Sequence, residues 1–146
     1  MVGVRQANTS DRQEIEKLVS EYHTSEGLTP IPERITWAVD EALRESFSGL
    51  LTVAHDAYRI VGVALAVYTP SAELGRVMTI NDFFVSPAYR RQGVGTLLAN
   101  HLVKECRRIH VDEIGLEVLS GNSTAAAFWR SIGLEQANRL LFKIKL

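Results

Sequence analysis

The most restrictive pattern in this chain lies between residues 76 and 119. A strand-like run, Arg76–Val85, stops at Ser86-Pro87, and a basic loop with Arg90 and Arg91 follows. Gly93 and Gly95 then open a helix whose apolar stripe is Val94, Leu98, Leu102 and Cys106, before a second strand-like run at Glu113–Leu119. Strand, helix and strand in that order make a crossover, so the two strands run parallel and the connection is right-handed. The loop itself is built for an anion. Glycines let the backbone approach a ligand, and the free N–H groups and dipole of a helix start favour negative charge. No Gly-Lys-Ser/Thr follows, so this is no Walker loop, and Leu98 holds the place of the third glycine of a dinucleotide fingerprint.

The flanking segments read as simpler elements. Val2–Ala7 suits a short strand. Ser10 and Gln13 fit a capping box ahead of a helix over roughly 11–23, which Gly27–Pro30 breaks. Pro32 opens a second helix with the stripe Ile35, Val39, Ala42, Leu43 and Phe47, ended at Gly49, and its aromatic Trp37 is expected in the core. Leu50–His55 and Arg59–Tyr68 form a hairpin around Asp56-Ala57. Ser123–Ile132 is a helix stopped by Gly133, and Arg139–Lys145 is a final strand. The order is β-α-α-β-β-β-α-β-α-β, an α/β class with a mixed sheet.

A length of 146 residues predicts one domain, 1–146, able to form a core without staples. Hydrophobic residues make up 46% and charged residues 23%, with a net charge of −1, so the chain lacks the charge footprint of a nucleic-acid binder. No apolar run reaches the ~18 residues of a membrane span. The lone cysteine excludes an internal disulfide framework. His23, His55, His101 and His110 lack metal-ligand spacing. The expectation is a soluble cytoplasmic domain with no metal, nucleic-acid or membrane partner.

Val85-Ser86-Pro87-x-x-Arg90-x-x-Gly93-x-Gly95 resembles the acyl-CoA-binding motif of the GNAT N-acetyltransferase superfamily. Asn122-x-x-Ala125-Ala126-x-x-Trp129-x-x-x-Gly133-Leu134 is similar to the second motif of that family, in the same order on consecutive β-α units. The likeness covers nearly the whole chain. It implies that the two parallel strands splay apart, that the pantetheine arm of acetyl-CoA enters the gap beside Phe83 and Val85, and that the pyrophosphate sits on Arg90, Arg91, Gln92, Gly93, Val94, Gly95 and Thr96. Asn122 and Trp129 then border the cofactor. The implied activity is acetyl transfer to a primary amine by direct attack. Many such proteins dimerise, and no interface is legible in this sequence.

Amine attack on a thioester needs a proton acceptor. Glu117 lies five residues before Asn122 and resembles the strand glutamate of acetylases of protein N-termini. Asp82 resembles the acid-rich strand end of polyamine acetyltransferases, although Asn81 occupies the matching glutamate position. Each carboxylate also has a plain reading as a strand-edge charge or an ion-pair partner. Trp129 stands where many relatives carry a tyrosine acid, and an indole N–H donates a hydrogen bond without serving as an acid. Trp129 and Asn81 favour the alternative of a catalytically inactive CoA-binding module. Cys106, on an apolar stripe, reads as a small buried hydrophobe.

Overall fold

The computed structural model describes all residues from 1 to 146. One five-stranded sheet, in the order β1-β2-β3-β4-β5, organises the chain. Its strands are β1 (Val2–Gln6), β2 (Gly49–Asp56), β3 (Arg59–Ser71), β4 (Gly75–Val85) and β5 (Glu113–Leu116). Neighbours are antiparallel except β4 and β5, which run parallel as the crossover requires. The helices are α1 (Arg12–Ser25), α2 (Pro32–Ala42), α3 (Val94–Arg108) and α4 (Ser123–Ile132).

Each sheet face is covered because side chains alternate across a strand. Leu51, Val53, Val63 and Phe84 meet Ile15 and Leu18 of α1 and Ile35 and Val39 of α2. On the other face Leu50, Ala64, Ala66, Met78 and Ile80 meet Leu98, Ala99, Leu102 and Cys106 of α3, with Trp129 of α4. Leu98 is wholly buried and Leu102 is 1% exposed, so each contributes about 1.5–3 kcal/mol of burial. Cys106 is buried as expected, and burial pushes its thiol up to about 11, which leaves it inert.

Local chemistry moves several boundaries. The first cap is Asn8, not Ser10. Its side chain accepts from the Ser10 N–H at 3.0 Å while the Asp11 carboxylate accepts from the Asn8 N–H at 2.8 Å, closing a capping box around the short turn Thr9–Asp11. The helix α2 ends at Ala42, so Phe47 lies in the connection to β2. Trp37 is 67% exposed rather than part of the core. The β2–β3 turn is Ala57-Tyr58, with Ala57 at φ 51.

Two differences bear on function. The strand expected over Glu113–Leu119 ends at Leu116, which puts Glu117 just beyond it. The strand expected over Arg139–Lys145 does not form. That segment pairs with no strand of the sheet, and Leu140, Leu141, Phe142, Ile144 and Leu146 are 62–115% exposed.

Candidate active site

The parallel pair holds together only from Val77–Glu113 to Ile80–Leu116. Beyond that point β4 continues beside β3 but without β5, so Asn81 and Glu117 are the first residues on either side of a split. A bulge occupies the same place: Leu65 faces Asp82 while the next residue, Ala66, faces Ile80, leaving Asn81 as the extra residue. The bulge resets the alternation of β4. Met78 and Ile80 point to α3, whereas Phe84 packs with the α1–α2 core. Asp82 shares the Phe84 face, and Phe83 takes the opposite one.

Past the bulge, both faces of β4 are lined with aromatic rings. Phe83 lies 4.8 Å from Trp129 and 5.7 Å from Phe128, centroid to centroid. Phe84 stacks on Tyr22 at 4.3 Å and meets the edge of His23 at 5.5 Å. The Ser86 N–H donates to the Val61 carbonyl of β3 at 2.8 Å. Edge groups alternate along a strand, so Asp82 and Phe84 address β3, while Phe83 and Val85 turn their backbone groups to the open side. Those two are the residues expected to border a cofactor arm.

The loop that follows leads straight from the split into α3. Gly93 caps that helix in the left-handed region, at φ 79, and Arg91 is left-handed at φ 61. A Cβ at Gly93 would meet nothing within 4 Å, so its backbone conformation alone calls for glycine there. Gly95 serves contact instead: a Cβ there would sit 3.4 Å from the Phe128 ring, where α4 crosses the start of α3. The first bond of α3 runs from the Leu97 N–H to the Gly93 carbonyl, and no side chain caps the end. The backbone N–H groups from Arg91 to Thr96 therefore have no partner in the protein, and they flank the split. Such a row, at the positive end of a helix dipole, holds an anion.

The loop is tethered on both flanks by contacts that the sequence does not reveal. The Tyr89 hydroxyl donates to Asp56 at 2.9 Å, from the β2–β3 hairpin. Arg90 turns to the end of α1, where it donates to Ser25 and Glu26, each at 3.2 Å, and lies 5.2 Å over the Tyr22 ring. The Gln92 side chain donates to the Ala88 carbonyl at 3.0 Å and braces the turn. The positive charge left free beside the N–H row is Arg91.

The two candidate carboxylates occupy different settings. Asp82 is partly buried, has no salt bridge or hydrogen bond to its side chain, and burial pushes its carboxyl up, with His23 the nearby counterweight. Glu117 is exposed at the mouth of the split and also has no ion-pair partner. Asn122 caps α4, its side-chain oxygen accepting from the Ala125 N–H at 3.1 Å, which leaves its amide N–H groups free. Trp129 is 9% exposed and lies edge-on to both Phe83 and Phe128, so it roofs the gap.

The chain is also similar to known proteins. The profile of the Acetyltransferase (GNAT) family matches residues 12–134. The chain belongs to the GNAT acetyltransferase family. Among curated members, it is 37% identical over 59 residues to the [Ribosomal protein bS18]-alanine N-acetyltransferase of Escherichia coli (strain K12). That stretch spans 40% of this chain and 40% of that enzyme. Among solved structures, a possible acetyltransferase from Clostridium difficile 630 superposes with a TM-score of 0.88 at 21% identity, over 100% of this chain and 98% of that one. The aminoglycoside N-acetyltransferase AAC(6')-Iy, solved with CoA, superposes at 0.82 and 17% identity over 99% and 95% of the two chains. These superpositions show a shared fold over 99–100% of this chain. No helix is long and apolar enough to cross a membrane.

Proposed function

We propose that residues 1–146 act as one cytoplasmic domain that moves an acetyl group from acetyl-CoA to a primary amine, within a complex of both substrates. The observation that carries this reading is the row of unpartnered N–H groups from Arg91 to Thr96, opening onto the freed edge of β4. The residues fit the cosubstrate. The N–H row and Arg91 suit a pyrophosphate, with Arg90 and Gln92 holding the loop in shape. Phe83 and Val85 offer backbone pairing to a pantetheine arm, and Asn122 and Trp129 close the far wall.

Bound acetyl-CoA would supply the thioester carbonyl: the amine nitrogen would form the new C–N bond as the C–S bond breaks and CoA leaves as a thiolate. The backbone N–H groups of Phe83 and Val85 stabilise charge that builds on the carbonyl oxygen. Asp82 faces the α1 side of the split and draws the cationic amine, since an unpaired, partly buried carboxylate is completed by a cation. Glu117, free and solvated at the mouth, takes the amine proton, directly or through water. Trp129 gives the thiolate no acid, and none is required, because a thiol of pKa ~8.5 leaves tolerably at neutral pH.

The test is thiol release with acetyl-CoA against an amine panel that includes a peptide with N-terminal alanine and an aminoglycoside, with calorimetric CoA binding alongside. Glu117→Gln is expected to lower kcat by about 10²–10⁴-fold with CoA affinity unchanged. Gly93→Val strains the left-handed turn and is expected to weaken CoA binding at least tenfold in a folded protein. Tight CoA binding without thiol release from any amine would favour the inactive CoA-binding module, the reading that Trp129 and Asn81 support. Unaltered CoA binding by folded Gly93→Val would sink both readings.

A further inference from the structure

We infer that Arg90 is a positioning residue for the amine side of the site: it clasps the last turn of α1, which walls the chamber around Asp82, to the loop that receives the cosubstrate. The inference rests on the function proposed above and gives Arg90 a partner other than phosphate. Two arginines stand side by side in the loop, and the chain turns between them. Arg90 is extended, at φ −67 and ψ 151, while Arg91 is left-handed at φ 61. The Arg90 guanidinium reaches back to α1. Its Nη2 donates to the Ser25 hydroxyl and to Glu26 Oε1, each at 3.2 Å, and its Cζ lies 5.2 Å over the Tyr22 ring.

These contacts converge on one helix end. The helix α1 stops tightly: the Leu28 N–H donates to the His23 carbonyl at 2.9 Å and the Gly27 N–H to the Thr24 carbonyl at 3.1 Å, with Gly27 left-handed at φ 76. The Ser25 hydroxyl extends the clasp inward, accepting from Arg90 while donating to the Tyr22 carbonyl at 2.8 Å. A cation at the carbonyl end of a helix is favoured by the dipole. The Arg90–Glu26 ion pair alone holds little, because its side chains are 40–44% exposed. The ring below and the helix end beside it give the guanidinium a fixed place.

The same turn of α1 faces the candidate amine site. Tyr22 stacks on Phe84 at 4.3 Å, and His23 meets that ring edge-on at 5.5 Å. Phe84 shares its face of β4 with Asp82, two residues before it. A shift of the last turn of α1 therefore moves Tyr22 and His23 relative to the Asp82 carboxylate. On the other side, Arg90 directly precedes the N–H groups of Arg91 to Thr96, which have no partner in the protein. An anion seated on that row fixes the loop, and through Arg90 the loop fixes the end of α1. Cosubstrate and amine are then coupled through one side chain, and the coupling is reciprocal. Charge alone has the opposite sign. Removing Arg90 leaves Glu26 unpaired at this helix end, which by itself would draw a cationic amine more strongly.

The amine for the test is the peptide with N-terminal alanine or the aminoglycoside of the panel above, whichever is turned over. Arg90→Ala is expected to raise its KM about tenfold, with kcat and the calorimetric Kd of CoA each within about threefold of the parent. Arg90→Lys returns a cation to the same hydroxyl and carboxylate and should bring KM back to within about threefold. Arg90→Ala combined with Glu26→Ala should cost no more than the larger single change. Hydrogen exchange reads the clasp without turnover. CoA should slow the exchange of residues 22–28 about fivefold in the parent and leave it unchanged in Arg90→Ala. An unchanged or lowered KM in Arg90→Ala, or equal protection by CoA in both proteins, would overturn the clasp. So would a Kd for CoA weakened about tenfold in Arg90→Ala, which would make Arg90 a phosphate ligand. If CoA binds and no amine is turned over, the transferase reading falls alone, and the exchange result decides the clasp.

Discussion

Asp11 and Asp82 are both partly or fully withdrawn from water, and the protein treats them in opposite ways. Asp11 is 6% exposed and fully partnered. Arg5 grips it with two bonds, at 2.7 and 2.9 Å, and the Asn8 N–H adds a third at 2.8 Å. The Arg5 guanidinium holds the Asp11 carboxyl below the usual carboxylate range. Asp82 has no such partner, and burial pushes its carboxyl up. One corner fastens β1 to the start of α1. The other holds a carboxylate with no hydrogen bond or salt bridge, its burial offset only by nearby His23, at the point where the sheet parts. An unpaired buried charge costs stability, and the position where a fold tolerates that cost is where function is expected.

Replacing Asp11 breaks the comparison most severely. Asp11→Ala removes a bidentate ion pair and the capping box together, which are worth about 2–3 kcal/mol in sum when the guanidinium is itself half-exposed. Chemical denaturation should show that loss, while CoA affinity in the remaining folded protein is unchanged. A loss below ~0.5 kcal/mol would mean that the corner is not fastened by this pair.

Replacing Asp82 is expected to act in the other direction on stability and to be felt in substrate binding. Asp82→Asn should raise KM for a cationic amine about tenfold, the equivalent of ~1.4 kcal/mol, with a smaller change in kcat. It should also raise Tm at neutral pH, because the unpaired charge is gone. Should kcat collapse instead while KM holds, Asp82 and not Glu117 would be the proton acceptor.

Most of this architecture is legible in the residues, and its limits are physical. The two glycines, the strand-loop-helix context and the Asn122–Gly133 spacing are local patterns, and the crossover they imply sets the parallel pair. Asp82 and Glu117 are visible as carboxylates within apolar runs. The bulge at Asn81 is not visible, because it depends on how β4 registers against β3, a pairing between distant segments. Without the bulge, simple alternation puts Asp82 on the same face as Met78 and Ile80. The Arg90–Glu26 pair is hidden for the same reason, since its partners are far apart in sequence. The Arg139–Lys145 segment shows a different limit. Its pattern announces a strand, but a strand needs an edge to pair with, and the segment pairs with no strand of the sheet.

The smallest expected effect is the sharpest probe of the contrast, because the two carboxylates must depend on pH with opposite signs. Asp11 titrates lower in the folded protein than in the unfolded chain. Its contribution is present above the unfolded value of ~3.9 and is lost as pH falls through the depressed folded value. Asp82 titrates higher when folded. Any stability it lends is present below ~3.9 and is lost as pH rises through the raised value, so its ionised form is a cost at neutral pH. Stability measured by urea at pH 3.5, 5 and 7 should therefore diverge for the two asparagine variants. The deficit of Asp11→Asn should be full at pH 5 and 7 and smaller at pH 3.5. The gain of Asp82→Asn should be near zero at pH 3.5 and largest at pH 7. A gain for Asp82→Asn that does not vary with pH would point to packing rather than charge. A loss at pH 7 would show that the carboxylate has a partner in the folded chain, and the case for a waiting cation site would fall with it.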